Sequence, residues 1–432
     1  MPNIKYSLYR PEIDGLRAFA VLAVIINHFN EEILPSGYLG VDIFFVISGF
    51  VITSSLSEKR ADNFFQFVVD FYERRVKRIV PSLIFYVLLI SLFICFFSYE
   101  PQTPLRTGIS SLFGLSNVYL FVRSTDYFSL SSNLNPFTNT WSLGVEEQFY
   151  FIFPFFIWFS GYLKNKKKAS RNLIILLMIS ILISGLFFIN QYPVNQPSAY
   201  FLLHNRFWEI AFGSLLFLQI KNDFMIFNFL RNFIPFLILM LMIFVMFQPL
   251  STGLSSTLII VFLTGALICS LKQDSILHNI LSKKEIVKIG KISYSLYLWH
   301  WGIVSISYLT IGIHWWSIPF QLIVIYALSI FSFNYIENPL RNRNFPFKKF
   351  QIIINAFFIL CFSAFSILIL DSKFRENLYL GNKNLSLKKP HFKYSSLDEK
   401  YCFIYNHNKD YRIQKIFSRC TKQYNKNNAQ TL

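Results

Sequence analysis

Apolar residues gather into long runs separated by short polar, cation-rich segments. About 20 apolar residues suffice for a helix to span a bilayer. Such runs predict spans at 13–29, 37–55, 79–98, 142–160, 172–190, 204–220, 232–248, 254–271, 290–309, 318–336 and 351–370. The expected fold is all-α, a polytopic transmembrane helical bundle with about 10 core spans plus an eleventh, C-terminal span. The stretch 106–122 is weaker, interrupted by Arg106, Gly108, Gly114 and Asn117. It reads as a surface or re-entrant segment, and counting it as a span would reverse everything downstream.

Charge decides that parity. With 106–122 left out, one side receives the Lys and Arg of 59–78, 164–171, 221–231, 272–291 and 341–349. Before the last span, the opposite loops hold only Arg106 and Arg123. This bias marks the rich side as cytoplasmic, with the N-terminus inside and the C-terminus outside. The expected divisions are a membrane domain over 1–345, an additional helix over 346–371 and a polar periplasmic tail over 372–432.

Composition supports the membrane reading. Of 432 residues, 53% are hydrophobic and 51 are Phe, an excess that a soluble core rarely carries. The net charge of +18 sits in the segments between apolar runs, so nucleic acid is not an expected partner, whereas membrane lipids are. A second apolar run follows the first within about ten residues, which favours a retained span over a cleaved signal peptide. Cys402 and Cys420 fall in the outer tail, where a disulfide can persist; the alternative is two free thiols. Cys95, Cys269 and Cys361 lie within spans and read as small buried hydrophobes. No spacing resembles a zinc or iron–sulfur site, so no metal is expected.

Polar residues inside the apolar frame carry the candidate chemistry. A charge near the bilayer centre costs roughly 2.5–3.5 kcal/mol on insertion scales, so it is retained where it faces protein or water. Arg17 and His28 both occur in the first span, about 16 Å apart at the helical rise. An arginine toward one face and a histidine toward the other suggest a site that works through the membrane. His28 reads as a general base, or as an interfacial histidine with a hydrogen-bond partner. Glu146 and Glu147 open the fourth span at a similar depth; they point about 100° apart, so one at most aims at His28. Their alternative is a hydrated helix cap. Arg75 and Arg78 share a face at the start of the third span, with Pro81 near its first turn. With Arg17 they form a candidate phosphate clamp, the alternative being topology or lipid contact. Arg206 and Glu209 share a face and are able to pair, and His300 lies near the middle of the ninth span. Asp42, Ser48 and Gly49 punctuate the second span, and Glu337 ends the tenth. Together these residues imply a polar passage.

In order, RPEIDGLRAFAVLAVIINHF, GYLGVDIFFVISGF, FYERRVKRIVP, NTWSLGVEEQFY, RFWEIAFG, ISYSLYLWHW and YIENPLR resemble segments of the acyltransferase-three family. These integral membrane enzymes O-acetylate lipopolysaccharide, peptidoglycan, capsular and other exported glycans of bacteria. The resemblance covers about residues 8–345. It implies an O-acyltransferase of the bacterial inner membrane that moves an acetyl or other short acyl group from cytoplasmic acetyl-CoA to a cell-envelope glycan or lipid-linked saccharide. It also implies that Arg17 and His28 are required and that Arg75 and Arg78 handle the donor. The acidic motif falls on Glu146 and Glu147, and the span-six motif on Arg206 and Glu209.

Longer members continue past an eleventh span into an outward SGNH-hydrolase-like domain. Residues 351–370 resemble that span and the tail resembles its linker, but no GDS motif follows. The resemblance leaves three options: a separate periplasmic SGNH-type transferase, direct transfer, or a shortened version of the longer form.

The expected mechanism has Arg17, Arg75 and Arg78 holding the nucleotide or pyrophosphate. His28 acts as base, and Glu146 or Glu147 orients its ring. Arg206 or Trp141 is a candidate donor to the oxyanion. An acyl-histidine intermediate is an alternative. The rival functions are a glycan or lipid-linked sugar transporter or flippase, against which no inverted repeat is evident, and a structural partner of a glycan-export complex.

Overall fold

In the computed structural model, the described residues are 9–57, 63–123, 130–163, 166–222, 233–273, 275–343 and 345–381. Among them there is no strand. Each predicted span falls on a helix: α1 Pro11–Phe29, α2 Gly40–Ser57, α3 Phe64–Phe97, α4 Trp141–Phe159, α5 Lys166–Gln191, α6 Leu203–Asn222, α7 Pro235–Met246, α8 Gly253–Ser270, α9 Ser293–Leu309, α10 Ile318–Phe331 and α11 Lys349–Ile369. Six helical segments among the described residues are long and apolar enough to cross a membrane. The protein is a polytopic helical membrane protein.

The weak stretch around 106–122 forms two short helices, Gln102–Leu112 and Ser116–Val122. They break at Gly114, whose φ of 67° is a conformation that side chains disfavour.

The third helix departs from expectation. It runs for 34 residues, and the Asn63 side chain caps its start by accepting from the Phe65 amide at 2.8 Å. Pro81 therefore lies mid-helix rather than near the first turn, and its missing N–H removes the backbone bond to the Lys77 carbonyl. The charges of ERRVKR ended the apolar run but not the helix. Straight-chain residues favour helix, and Glu73 and Lys77 pair one turn apart.

Neighbouring helices fix the directions of the bundle. Helices α2 and α6 run parallel: Asp42 meets Arg206 at 2.7 Å, and Lys221 Nζ donates to the Ser57 carbonyl at 3.2 Å. Between those ties the backbones touch, because a β-carbon at Gly49 would strike the Ile210 carbonyl and one at Gly213 the Val46 carbonyl. Helices α3 and α9 are also parallel, with Tyr294 donating to the Ile79 carbonyl at 3.1 Å and Trp299 set edge-on to Tyr86 at 5.3 Å. Helix α11 lies parallel to α3. Lys349 pairs with Asp70 at 2.8 Å at one end, and the Leu380 amide donates to the Phe96 carbonyl at 3.0 Å at the other.

Two apolar clusters result. The larger draws on α1, α2, α4, α6 and α8, and the smaller on α3, α9 and α11. Cys95 is buried, whereas Cys269 and Cys361 are only partly so, which corrects their reading as uniformly buried. Cys402 and Cys420 lie outside the described residues.

Candidate active site

Five helices wall a cavity of about 100 Å³. Arg17 comes from α1, Ser48 from α2, Arg75 and Arg78 from α3, Glu146 and Glu147 from α4, and Tyr297 from α9. The i, i+3 spacing on α3 turns both of its arginines to the same face. The Arg17 guanidinium donates to Asp14 one turn earlier, at 3.2 Å. Arg75 lies over the Tyr150 ring, 4.3 Å from its centroid. The Tyr150 hydroxyl donates to Glu146 at 3.0 Å and stands 2.7 Å from the Ser48 hydroxyl.

The two glutamates are thus not where their sequence position suggested. Helix α4 begins at Trp141, which sets Glu146 and Glu147 in its second turn, beside the cavity arginines. The imidazole of His28 is met instead by His300. His28 Nδ1 and His300 Nε2 are 3.0 Å apart, with ring planes inclined by 4°. His300 Nδ1 is 3.0 Å from the Leu296 carbonyl oxygen. Trp301 packs against His28 at 4.4 Å between centroids, and its indole N–H is held by the Asn135 carbonyl at 2.9 Å.

Tyr297 joins the two regions. It precedes His300 by one turn, with 5.4 Å between the ring centroids. Its hydroxyl donates to the Asn139 carbonyl at 2.9 Å and lies 2.8 Å from the hydroxyl of Ser142, which also lines the cavity. One layer of side chains therefore separates the arginine cavity from the histidine pair.

The acyltransferase-three family model, described as an acyltransferase domain, matches residues 10–336. The chain belongs to this acyltransferase family. It is 31% identical to the O-acetyltransferase OatA of Staphylococcus aureus over 409 residues, covering 88% of this chain and 66% of that protein. The peptidoglycan O-acetyltransferase OatA of Listeria monocytogenes is 31% identical over 79% of this chain and 58% of its own length. The putative peptidoglycan O-acetyltransferase YrhL of Bacillus subtilis is 30% identical over 80% of this chain and 57% of its own. The chain thus spans somewhat under two-thirds of the length of these curated relatives. No solved structure matches it.

Within this chain, Arg206 and Trp141 are placed elsewhere than the expected oxyanion site. One Arg206 nitrogen donates to Asp42 and to Glu209, each at 2.7 Å, and the side chain is 1% exposed. Trp141 packs beside it, edge-on to Phe45 at 5.9 Å and 5.5 Å from the Tyr200 ring. Neither residue is part of the cavity lining. Arg206 is paired with two carboxylates, its Nε lies 3.4 Å from the Tyr200 carbonyl, and it stands outside the cavity lining, so the cluster serves to tie α2 to α6.

Sequence reasoning missed Tyr150, Ser142 and Tyr297 as cavity residues. The signal for Tyr150 was its i+4 spacing from Glu146. Glu337, expected to end the tenth span, is 1% exposed. It closes a π-helical turn, Ser332–Glu337, and accepts from the Ser295 hydroxyl at 3.4 Å. Such turns occur frequently at functional sites. Among the described residues, no cluster of three His, Cys, Asp or Glu is arranged to hold a metal ion.

Proposed function

We propose that the protein is a bacterial inner-membrane O-acyltransferase that moves an acetyl group from cytoplasmic acetyl-CoA to a hydroxyl of a cell-wall glycan. The observation that carries this reading is the convergence of Arg17, Arg75 and Arg78 on one cavity, one side-chain layer from the His28–His300 pair. Three guanidinium groups suit the phosphates of a CoA donor. Val41, Phe44 and Ile47 line the same cavity and suit the less polar acyl-bearing arm. Relatives named as peptidoglycan O-acetyltransferases point to peptidoglycan as the acceptor class.

In this reading, the acceptor oxygen attacks the thioester carbonyl carbon while its proton passes to His28. The C–S bond then breaks, and the departing thiolate takes that proton back, so thioester and alcohol become ester and thiol. A charged helix N-terminal half at the cytoplasmic face accords with the lysine and arginine bias. The parallel pairs α2–α6, α3–α9 and α3–α11 accord with alternate crossings in which 102–122 is not one. Incubating membranes with isotopically labelled acetyl-CoA tests the reading. Label is expected in the cell-wall glycan, dependent on this protein; label confined to water-soluble products, or unchanged without the protein, would overturn it.

A further inference from the structure

We propose that His300 is a positioning residue that holds His28 with its proton on Nδ1, which makes Nε2 the basic nitrogen of the ring; this deepens the general-base reading above and rests on it. The argument is one of donors and acceptors. A carbonyl oxygen only accepts, so His300 Nδ1, 3.0 Å from the Leu296 carbonyl, carries a hydrogen. A neutral ring protonated there leaves Nε2 as a bare acceptor. That nitrogen is 3.0 Å from His28 Nδ1, so His28 Nδ1 must donate. The proton order therefore propagates from a backbone carbonyl through two rings, and it leaves the lone pair of His28 on Nε2.

The reverse order needs a His300 cation, donating from both nitrogens, at a ring that is 0% exposed and packed by Tyr297. Desolvating an imidazolium there is costly. The near-parallel planes of the two rings, 4° apart, and the packing of Trp301 on His28 fix the direction of the bond as well as its length. When Nε2 takes a proton, the Nδ1–H bond to His300 persists and strengthens with the charge. This is the part that a carboxylate plays behind a catalytic histidine, here given to a neutral ring. Sequence reasoning had assigned it to Glu146 or Glu147, which face the arginine cavity instead.

Nitrogen NMR of the full-length protein in lipid nanodiscs, with ¹⁵N-labelled histidine rings and His28 assigned by difference with His28→Gln, reads the tautomer directly. His28 is expected with Nδ1 protonated and Nε2 bare. His300→Phe keeps a ring but offers no acceptor, so it is expected to shift His28 toward the other tautomer and lower acyl transfer by about 10²-fold. His300→Gln retains an oxygen able to accept from Nδ1; it is expected to restore the tautomer and at least about tenfold of the lost rate. Protonation of His28 on Nε2 in the unaltered protein, or an unchanged tautomer and rate in His300→Phe, would overturn the inference. If His300→Phe does not accumulate, the unaltered protein and His300→Gln still decide it. The tautomer is read without turnover, so failure of the general-base reading appears separately, as acyl transfer persisting in His28→Ala.

Discussion

Arg75 lies over the ring of Tyr150, with the guanidinium carbon 4.3 Å from the ring centroid. The same tyrosine donates from its hydroxyl to Glu146, so its ring orients a cation while its edge orients an anion. Replacing Arg75 with Lys keeps the charge but loses the planar fork and most of the stacking, an interaction worth about 0.5–2 kcal/mol. CoA affinity measured by calorimetry is expected to fall about 2- to 30-fold, with a similar loss for Arg78→Lys. Unchanged affinity in both variants would assign these arginines to topology alone.

His28→Ala is expected to lower acyl transfer by about 10²–10⁴-fold while leaving the protein abundant in the membrane. Glu146→Gln and Glu147→Gln are expected to differ, because Glu146 is the one bonded to Tyr150. Since both carboxylates line the arginine cavity, their effects should appear in CoA affinity before they appear in turnover at saturating donor. A loss confined to turnover would return them to the imidazole.

Arg206 holds two carboxylates at a site with almost no exposure. Arg206→Met alone is expected to destabilise the protein by about 3–5 kcal/mol, because it strands buried charge. Adding Asp42→Asn and Glu209→Gln should recover most of that loss. Thermal unfolding in detergent reads both, and a mild effect from the single change would show that the cluster is not a charge lock.

The glycines make a paired comparison. Gly213→Val drives a side chain into the Val46 carbonyl and is expected to cost at least about 1–3 kcal/mol. Gly185 on α5 has nothing within 4 Å of an added β-carbon, so Gly185→Ala is expected to be neutral or to stabilise by up to about 1 kcal/mol. Equal outcomes in an unfolding assay would contradict the close crossing of α2 and α6.

Apolar runs located every principal helix, because spanning length and lack of charge are local properties of a sequence. The start of α3 was not legible. Arg74, Arg75, Lys77 and Arg78 look like a boundary when judged by hydropathy, yet they belong to one continuous helix. Spacing put Arg75 and Arg78 on one face correctly, since that depends only on helical geometry. The partner of His28 was not legible, because it lies 272 residues away and only packing brings α1 against α9. Glu146 was misassigned for the same reason: its depth was judged from a helix start, while its neighbours were set by α3. Asp42 joined Arg206 and Glu209 across 164 residues, which no local pattern encodes.

The contact between α2 and α6 has a mechanical consequence. Two backbones that touch at Gly49 and Gly213, pinned on either side by Asp42–Arg206 and Ser57–Lys221, leave no slack for one helix to slide past the other. That pair acts as a strut, so breathing of the cavity is expected along α3, which carries Pro81 and meets α9 through aromatic rings and the Tyr294–Ile79 bond. Locking α2 to α6 with an engineered cross-link should leave turnover intact, whereas the same lock between α3 and α9 should stall it with donor still bound. That outcome would make the helix with the missing backbone bond the moving part, and the arginines that it carries would travel with it.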